Sequence, residues 1–282
     1  SWYSPAKRLT QTVVWLKIEN KTVQSRLSTS HTFKDSIKNR ASMKILRRNE
    51  DGFIAALLET VFNKRVPPYM PDVIVCPRTV KDIVDAIGLA KQENLRISIR
   101  SGGHSWSINH IRDGGLLINM ASFNTYKIDH HAMTAKAGPG CQGGTLLKAL
   151  VKLGLFFPAG HCEGVCLGGY LLQGGFGWHG QEIGLACESV IGLDIVTADG
   201  EIVHASDKEN PELYWAARGA GSGFFGIVFQ FHLRLFPKPK HTGVMLQIFS
   251  LDALDDVMRW GHEISEEVPT NIEFQIQITK EG

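Results

Sequence analysis

At 282 residues with 43% apolar content, the chain is long enough to bury one large core or two smaller ones. No apolar run reaches the roughly eighteen residues of a membrane-spanning helix, so none is expected. The net charge of +2 hides an asymmetry, because residues 1–48 carry 11 Lys and Arg against only Glu19 and Asp35 and the remainder is acidic. An acidic body without a recognisable reading module argues against nucleic-acid binding. The basic, acid-poor leader fits an organelle transit segment or a solvated extension, and no secretory signal is evident. Five scattered cysteines, an odd number, read as mostly reduced thiols. An intracellular setting is favoured, with targeting or secretion left open.

After an extension at 1–48, Asn49 suits an N-cap, and "EDGFIAALLETVF" sets Phe53, Ile54, Leu57, Leu58, Val61 and Phe62 on one helical stripe. "RVPPYMP" ends it. "DVIVC" is a short buried strand, Thr79 starts the helix "VKDIVDAIGLAKQE", and "LRISI" closes a β–α–β unit. The continuous apolar character of these strands predicts parallel pairing under helices. Further strands are expected at "GLLINM" and through "SVIGLDIVTADGEIVHAS", where Asp199 and Gly200 supply a hairpin turn. Asn210 and Pro211 begin a short helix. From Ile227 onward Phe229, Phe231, Leu233 and Leu235 alternate with Gln230, His232 and Arg234, as a half-buried strand requires. "FPKPK" marks a boundary, and a strand, the helix "DALDDVMRWGHEIS" and the strand "IEFQIQI" follow. Three regions result: 1–48, 49–240 and 241–282.

Residues 138–184 hold 14 of the 29 glycines, far more than ordinary loops need. Glycine permits positive φ and removes the Cβ, so successive amides can converge on an anion, most often phosphate. "RSGGHS" has this form at the end of a strand, with Gly102 and Gly103 freeing the backbone and Ser101 and Ser105 adding hydroxyls. Alone, it reads first as a tight turn beside a satisfied histidine. "PAGHCEGVCLGGYLLQGGFG" repeats the Gly-Gly device twice, after an amphipathic helix around Leu146, Leu150 and Leu153.

With these two blocks in order, followed by "LDIVTADGEIV" and "PELYWAARGAGSGFFGIV", the chain resembles the berberine bridge enzyme-like branch of the FAD-linked oxidases, within the vanillyl-alcohol oxidase superfamily. The match spans residues 70–240. The resemblance implies an α+β fold: an FAD-binding PCMH-type domain of two α+β subdomains at 49–240, one with a small parallel sheet and one mostly antiparallel, with FAD between them. The segment 241–282 then begins a substrate domain that is incomplete here. By the same resemblance Arg100, Ser101, Gly102, Gly103, His104 and Ser105 wrap the pyrophosphate. His104 bonds to the flavin 8α-methyl carbon and Cys162 forms a thioether to flavin C6, so the FAD is bicovalent. Gly168, Gly169, Gly174 and Gly175 face the cofactor, while Gly226, Ile227 and Val228 contact its adenine side. The implied reaction moves a hydride from an alcohol, sugar or amine-type substrate to FAD, with O2 as the reoxidant and no assigned catalytic base. Cys166, where many relatives carry glycine, reads as a packed side chain, and His179 and Trp106 read as pocket walls.

Other readings remain beside this one. The chain could be an FAD-holding module without turnover. A metal site at His161, Cys162, Cys166 and His179 or Cys187 lacks the paired CxxC knuckles of a zinc site, and no metal is expected there. "GAGSGFFG" has dinucleotide-fingerprint spacing but precedes a strand instead of joining strand to helix. The remaining histidines, His130 and His131 among them, read as solvent-facing. Substrate identity and oligomeric state have no signal in the sequence.

Overall fold

In the computed structural model, which describes residues 10–18, 43–65 and 67–278, Thr79 caps the helix that organises the first sheet. Apart from strand β1 (Thr10–Ile18) and residues Gln181–Ile183, the elements up to Pro237 lie in one compact unit. Its first layer comprises β2 (Lys44–Arg47), α1 (Phe53–Glu59), β3 (Val73–Cys76), α2 (Val80–Gln92), β4 (Ile97–Arg100) and β5 (Leu116–Asn119). Thr79 Oγ1 accepts from the Asp82 N–H at 3.2 Å and the Asp82 carboxylate accepts from the Thr79 N–H at 2.9 Å, a reciprocal cap on α2. The sheet order is β2-β3-β5-β4, with β3, β5 and β4 parallel and β2 antiparallel at the edge.

The continuous apolar strands are explained by cover on both faces. Val73, Val75, Leu116 and Ile118 pack with Ile83, Ala86, Ile87 and Ala90 of α2, whereas Ile74 and Leu117 pack with Phe53, Leu57 and Val61 on the other side. The structure differs from expectation in three details. The sheet takes in Lys44–Arg47, ahead of the boundary placed at 49, because a four-residue edge strand with a charge at each end and only Ile45 and Leu46 between is too short to show a strand period. The first helix starts at Phe53 behind a left-handed Gly52, so Ile54 points outward and Asn49 does not cap. Strand β5 also inserts between β3 and β4, so the β–α–β unit spans a strand.

The second layer contains β6 (Tyr126–Asp129), β7 (Thr134–Ala137), α3 (Gly143–Lys152), β8 (Leu155–Phe156), α4 (Leu167–Leu172), β9 (Val190–Val196), β10 (Ile202–Ala205), α6 (Pro211–Ala216), β11 (Ile227–Arg234) and β12 (Phe236–Pro237); the short helix α5 (Gly180–Ile183), which falls between α4 and β9 in the chain, groups from Gln181 onward with the other unit. Five of these strands form an antiparallel sheet in the order β10-β9-β11-β7-β6. Leu146 and Leu150 of α3 and Leu167 and Leu171 of α4 pack onto Leu193, Phe231 and Leu233. The β9–β10 hairpin turns through Gly200, at φ +83°, as its Asp-Gly pair predicts. In β11 the expected alternation slips. A register shift between Val228 and Gln230 turns Val228 toward the core of the second layer and leaves Ile227 and Phe229 against the core of the first.

A second unit contains β1, β13 (His241–Phe249), α7 (Leu254–Ile264) and β14 (Ile272–Ile278), with β1 parallel to both neighbours in the order β13-β1-β14. The strand, helix and strand expected after "FPKPK" are present, whereas β1 arises inside the basic extension, the rest of whose first 42 residues lie outside the described residues. Gly261 lets α7 approach β14 closely, since a Cβ there would stand 2.7 Å from Ile276 Cδ1.

Candidate cofactor site

The loop leaving β4 is shaped by glycines that no other residue could replace. Gly103 has φ +67°, and a Cβ on it would run into the Thr60 carbonyl oxygen. Its own carbonyl accepts from the Phe62 N–H at 3.2 Å. A Cβ on Gly102 would stand 2.9 Å from Cys166 Cβ and Sγ, so the loop and the start of α4 touch at this point. Arg100 locks the arrangement: its guanidinium donates to Asn119 Oδ1 at 3.1 Å and to the Gly102 carbonyl at 3.0 Å, and lies 3.4 Å from the carbonyls of Thr60 and Glu59. Burial lowers its pKa.

This loop forms one wall of a cavity of about 370 Å3. Cys166, Gly168, Gly169 and Tyr170 form a second wall, and Gly221, Phe224, Gly226 and Val228 a third. Of the residues singled out from the sequence, Arg100, Ser101, Gly102, Gly103, His104, Ser105, Gly168, Gly169, Gly226 and Val228 therefore meet on one space. Gly174, Gly175, Ile227 and Cys162 do not line it. Gly174 and Gly175, at φ +99° and +77°, form the turn after α4, and their carbonyls accept from the N–H groups of Cys187 and Ala186. Ile227 faces the core beneath α2. Cys162 is exposed on a turn closed by the Val165 N–H donating to its carbonyl at 3.1 Å. That turn carries Gly164 against His104, where a Cβ would stand 3.1 Å from the ring Nε2.

The His104 ring lies flat on Phe62, and Trp106 meets the same phenyl edge-on while remaining exposed to solvent. Burial, with the nearby Arg100 charge, holds the His104 pKa below its ordinary value, so the imidazole is neutral at pH 7. Cys166 is buried, its Sγ lies 3.3 Å from the Gly140 carbonyl, and burial raises its pKa, in keeping with a packed side chain. His179, expected at a pocket wall, packs edge-on against Phe156 instead, and neither it nor Trp106 lines the cavity.

His110 corrects the expectation that the remaining histidines face solvent. It lines the cavity, is buried, and has an Nε2 without a hydrogen-bond partner among the described residues. Burial, then the charge of Arg100, holds its pKa down to about 4 against a weaker opposing hydrogen bond with the Thr60 backbone. Nothing in its spacing marks it; the only sequence clue is its nearness to His104. An orphaned buried nitrogen requires a partner, and a ligand in the cavity could supply one. Gly169 adds a second sign of fit, because a Cβ there would meet nothing within 4 Å although the residue faces the cavity. Open space beside exposed backbone suits a ligand that approaches closely, and hydroxyls at Ser101, Ser105 and Ser222 suit phosphate oxygens.

Residues 71–206 match the protein family described as FAD binding domain. The chain is 40% identical over 216 residues to the FAD-linked oxidoreductase nodO of Hypoxylon pulicicidum, covering 77% of this chain and 48% of that protein. It is 35% identical over 204 residues to a xylooligosaccharide oxidase of Thermothelomyces thermophilus, covering 71% and 41%. Among solved structures it is similar to Physcomitrella patens BBE-like 1, with a TM-score of 0.65 and 33% identity over 70% of this chain and 42% of the other. The chain spans about half the length of the curated relatives it matches.

Proposed function

We propose that the chain, which carries an FAD binding domain and is similar to the berberine bridge enzyme-like FAD-linked oxidoreductases, is a member of that family and binds FAD covalently at this cavity as the cofactor-holding part of an oxidase. The observation that carries the reading is the convergence of the Arg100–Ser105 loop, Gly169 and Gly226 on one space. Bound FAD supplies the acceptor for a hydride from an alcohol, sugar or amine-type substrate, with O2 as the reoxidant.

The chain's own residues hold and orient the cofactor. Backbone amides and hydroxyls from Ser101 to Ser105 receive the diphosphate, and Arg100 keeps that loop rigid through its carbonyl contacts. Gly169 leaves room for the ligand, and His110 offers its unpaired nitrogen. His104, neutral and held by Phe62, presents a ring nitrogen ready for alkylation, while exposed Cys162 offers the second attachment. The substrate class follows the relatives, which include a xylooligosaccharide oxidase, a carbohydrate oxidase and (R)-6-hydroxynicotine oxidase.

Intact-mass measurement tests the attachment. Acid-precipitated protein is expected to stay yellow, His104→Ala and Cys162→Ala each to keep a single linkage, and the double variant to release its flavin on denaturation. A mass equal to the bare polypeptide after expression with ample flavin overturns the covalent reading.

A further inference from the structure

Three neighbouring strands of the antiparallel sheet bring together residues that lie far apart in the chain. Asp194 on β9 stands between His204 on β10 and His232 on β11. His204 Nδ1 is 2.7 Å from one carboxylate oxygen and His232 Nε2 is 2.9 Å from the other. The two imidazoles meet edge to face with centroids 5.1 Å apart, and the three candidate ligand atoms all lie within 4.8 Å of one another.

The sheet makes room for this convergence. Gly192 is the cross-strand partner of His232, and a Cβ on it would stand only 3.0 Å from His204 Cε1. The missing side chain is the space that the His204 ring occupies. Asn210 fixes the backbone beneath by donating to the His204 carbonyl at 2.6 Å. The opposite face of the same strands carries Leu193, Phe231 and Leu233 in the core, so the triad is not needed to bury apolar surface. Its side chains remain 19–36% exposed, and none of them lines the cofactor cavity.

We propose that Asp194, His204 and His232 bind a divalent transition-metal cation at a site separate from the flavin cavity. Two imidazoles and one carboxylate are a donor set that suits zinc-like cations, and partial exposure leaves the remaining coordination positions to water. The carboxylate that now accepts from both rings keeps the three ligands aimed at a common point. A cation entering there takes the ring lone pairs, with each ring proton shifting to the other nitrogen of its imidazole. Lys136, the cross-strand partner of His232, is the one opposing charge among that residue's paired neighbours, and its exposed chain can turn to solvent.

The test uses the whole flavin-loaded chain, treated with chelator and with any free Cys162 thiol alkylated to remove a competing ligand. Titration with Zn2+ is expected to show one bound equivalent, and Co2+ to give a visible absorption band from nitrogen and oxygen ligation. Asp194→Asn and His232→Gln, which preserve size and hydrogen-bonding capacity, are each expected to weaken Zn2+ binding at least tenfold and to abolish the Co2+ band. Gly192→Ala, which crowds His204, is expected to weaken binding as well. The double variant His130→Gln and His131→Gln, an exposed histidine pair, is expected to bind as wild type does. Failure of the folded wild-type chain to bind Zn2+ overturns the proposal, as does undiminished binding in folded Asp194→Asn. Neither result bears on flavin attachment, which is read separately by mass.

Discussion

The imidazole of His104 and the phenyl ring of Phe62 are stacked, with centroids 4.9 Å apart and planes 12° from parallel. Phe62 follows the first helix and its N–H is bonded to the carbonyl of Gly103, so the side-chain stack and the backbone contact fix the same loop. Phe62→Leu keeps apolar bulk but loses the ring pairing, worth about 1 kcal/mol. Covalent flavin attachment is expected to slow about fivefold, the rate equivalent of that energy. Time-resolved mass spectrometry after mixing apo-protein with FAD checks it; an unchanged rate shows that the stack does not orient His104.

Gly168 and Gly169 are adjacent, yet substituting them should have opposite consequences. A Cβ on Gly168 would collide with Ser101 Oγ and stand 2.8 Å from Pro139 Cβ, whereas one on Gly169 meets only open cavity. Gly168→Ala is expected to destabilise the apo-protein by about 1–3 kcal/mol through overpacking. Gly169→Ala should raise apo stability by up to about 1 kcal/mol, the helical preference of alanine over glycine, while weakening FAD binding at least about tenfold. Urea denaturation and flavin titration of both variants separate the two effects. If Gly169→Ala binds FAD normally, the cofactor does not approach that wall.

His110 predicts the acid response of the apo-protein. Its pKa is about 4 in the fold, below the 6.5 of a free imidazole, so between these values the unfolded chain takes up a proton that the folded chain refuses. Stability attributable to His110 is therefore full above pH 6.5 and lost as pH falls toward 4, by at most about 3 kcal/mol. His104 is shifted in the same direction and adds to the trend. His110→Asn is expected to flatten the dependence of unfolding free energy on pH between 4 and 6.5. An identical slope in the variant would remove His110 as its source.

Much of this architecture is written locally. Thr79 and Asp82 are three residues apart and cap α2 between themselves, and the strand runs "VIVC" and "LLIN" announce cover on both faces because every residue in them except Asn119 is apolar. Phe229 shows where local reading fails. Its alternation with Phe231 is perfect in sequence, but a bulge set by the pairing with β9 turns it to the other side. The Arg100–Ser105 loop was legible from its glycines. His110 was not, since its burial is created by segments from elsewhere in the chain, and the Asp194, His204 and His232 cluster exists only because β9 and β10 pair beside β11.

The five cysteines differ enough in environment to test the site by chemistry alone. Thiolate is the reactive form, so burial that raises a thiol pKa also protects it. Cys141 is buried and pushed up to about 12, while Cys166 and Cys187 are buried and raised by desolvation. Cys76, half-buried, is raised for the same reason. Cys162 alone is exposed. Iodoacetamide at pH 8 is therefore expected to label Cys162 of the apo-protein first, with Cys76 slower and the other three protected until the chain unfolds. In flavin-loaded protein the fast site should disappear, because the thioether consumes that sulfur, and it should remain absent in His104→Ala, which keeps the Cys162 linkage. Peptide mapping of the alkylated cysteines gives the answer. Fast labelling of Cys162 in protein that carries a full equivalent of covalent flavin would place the second attachment somewhere other than this thiol.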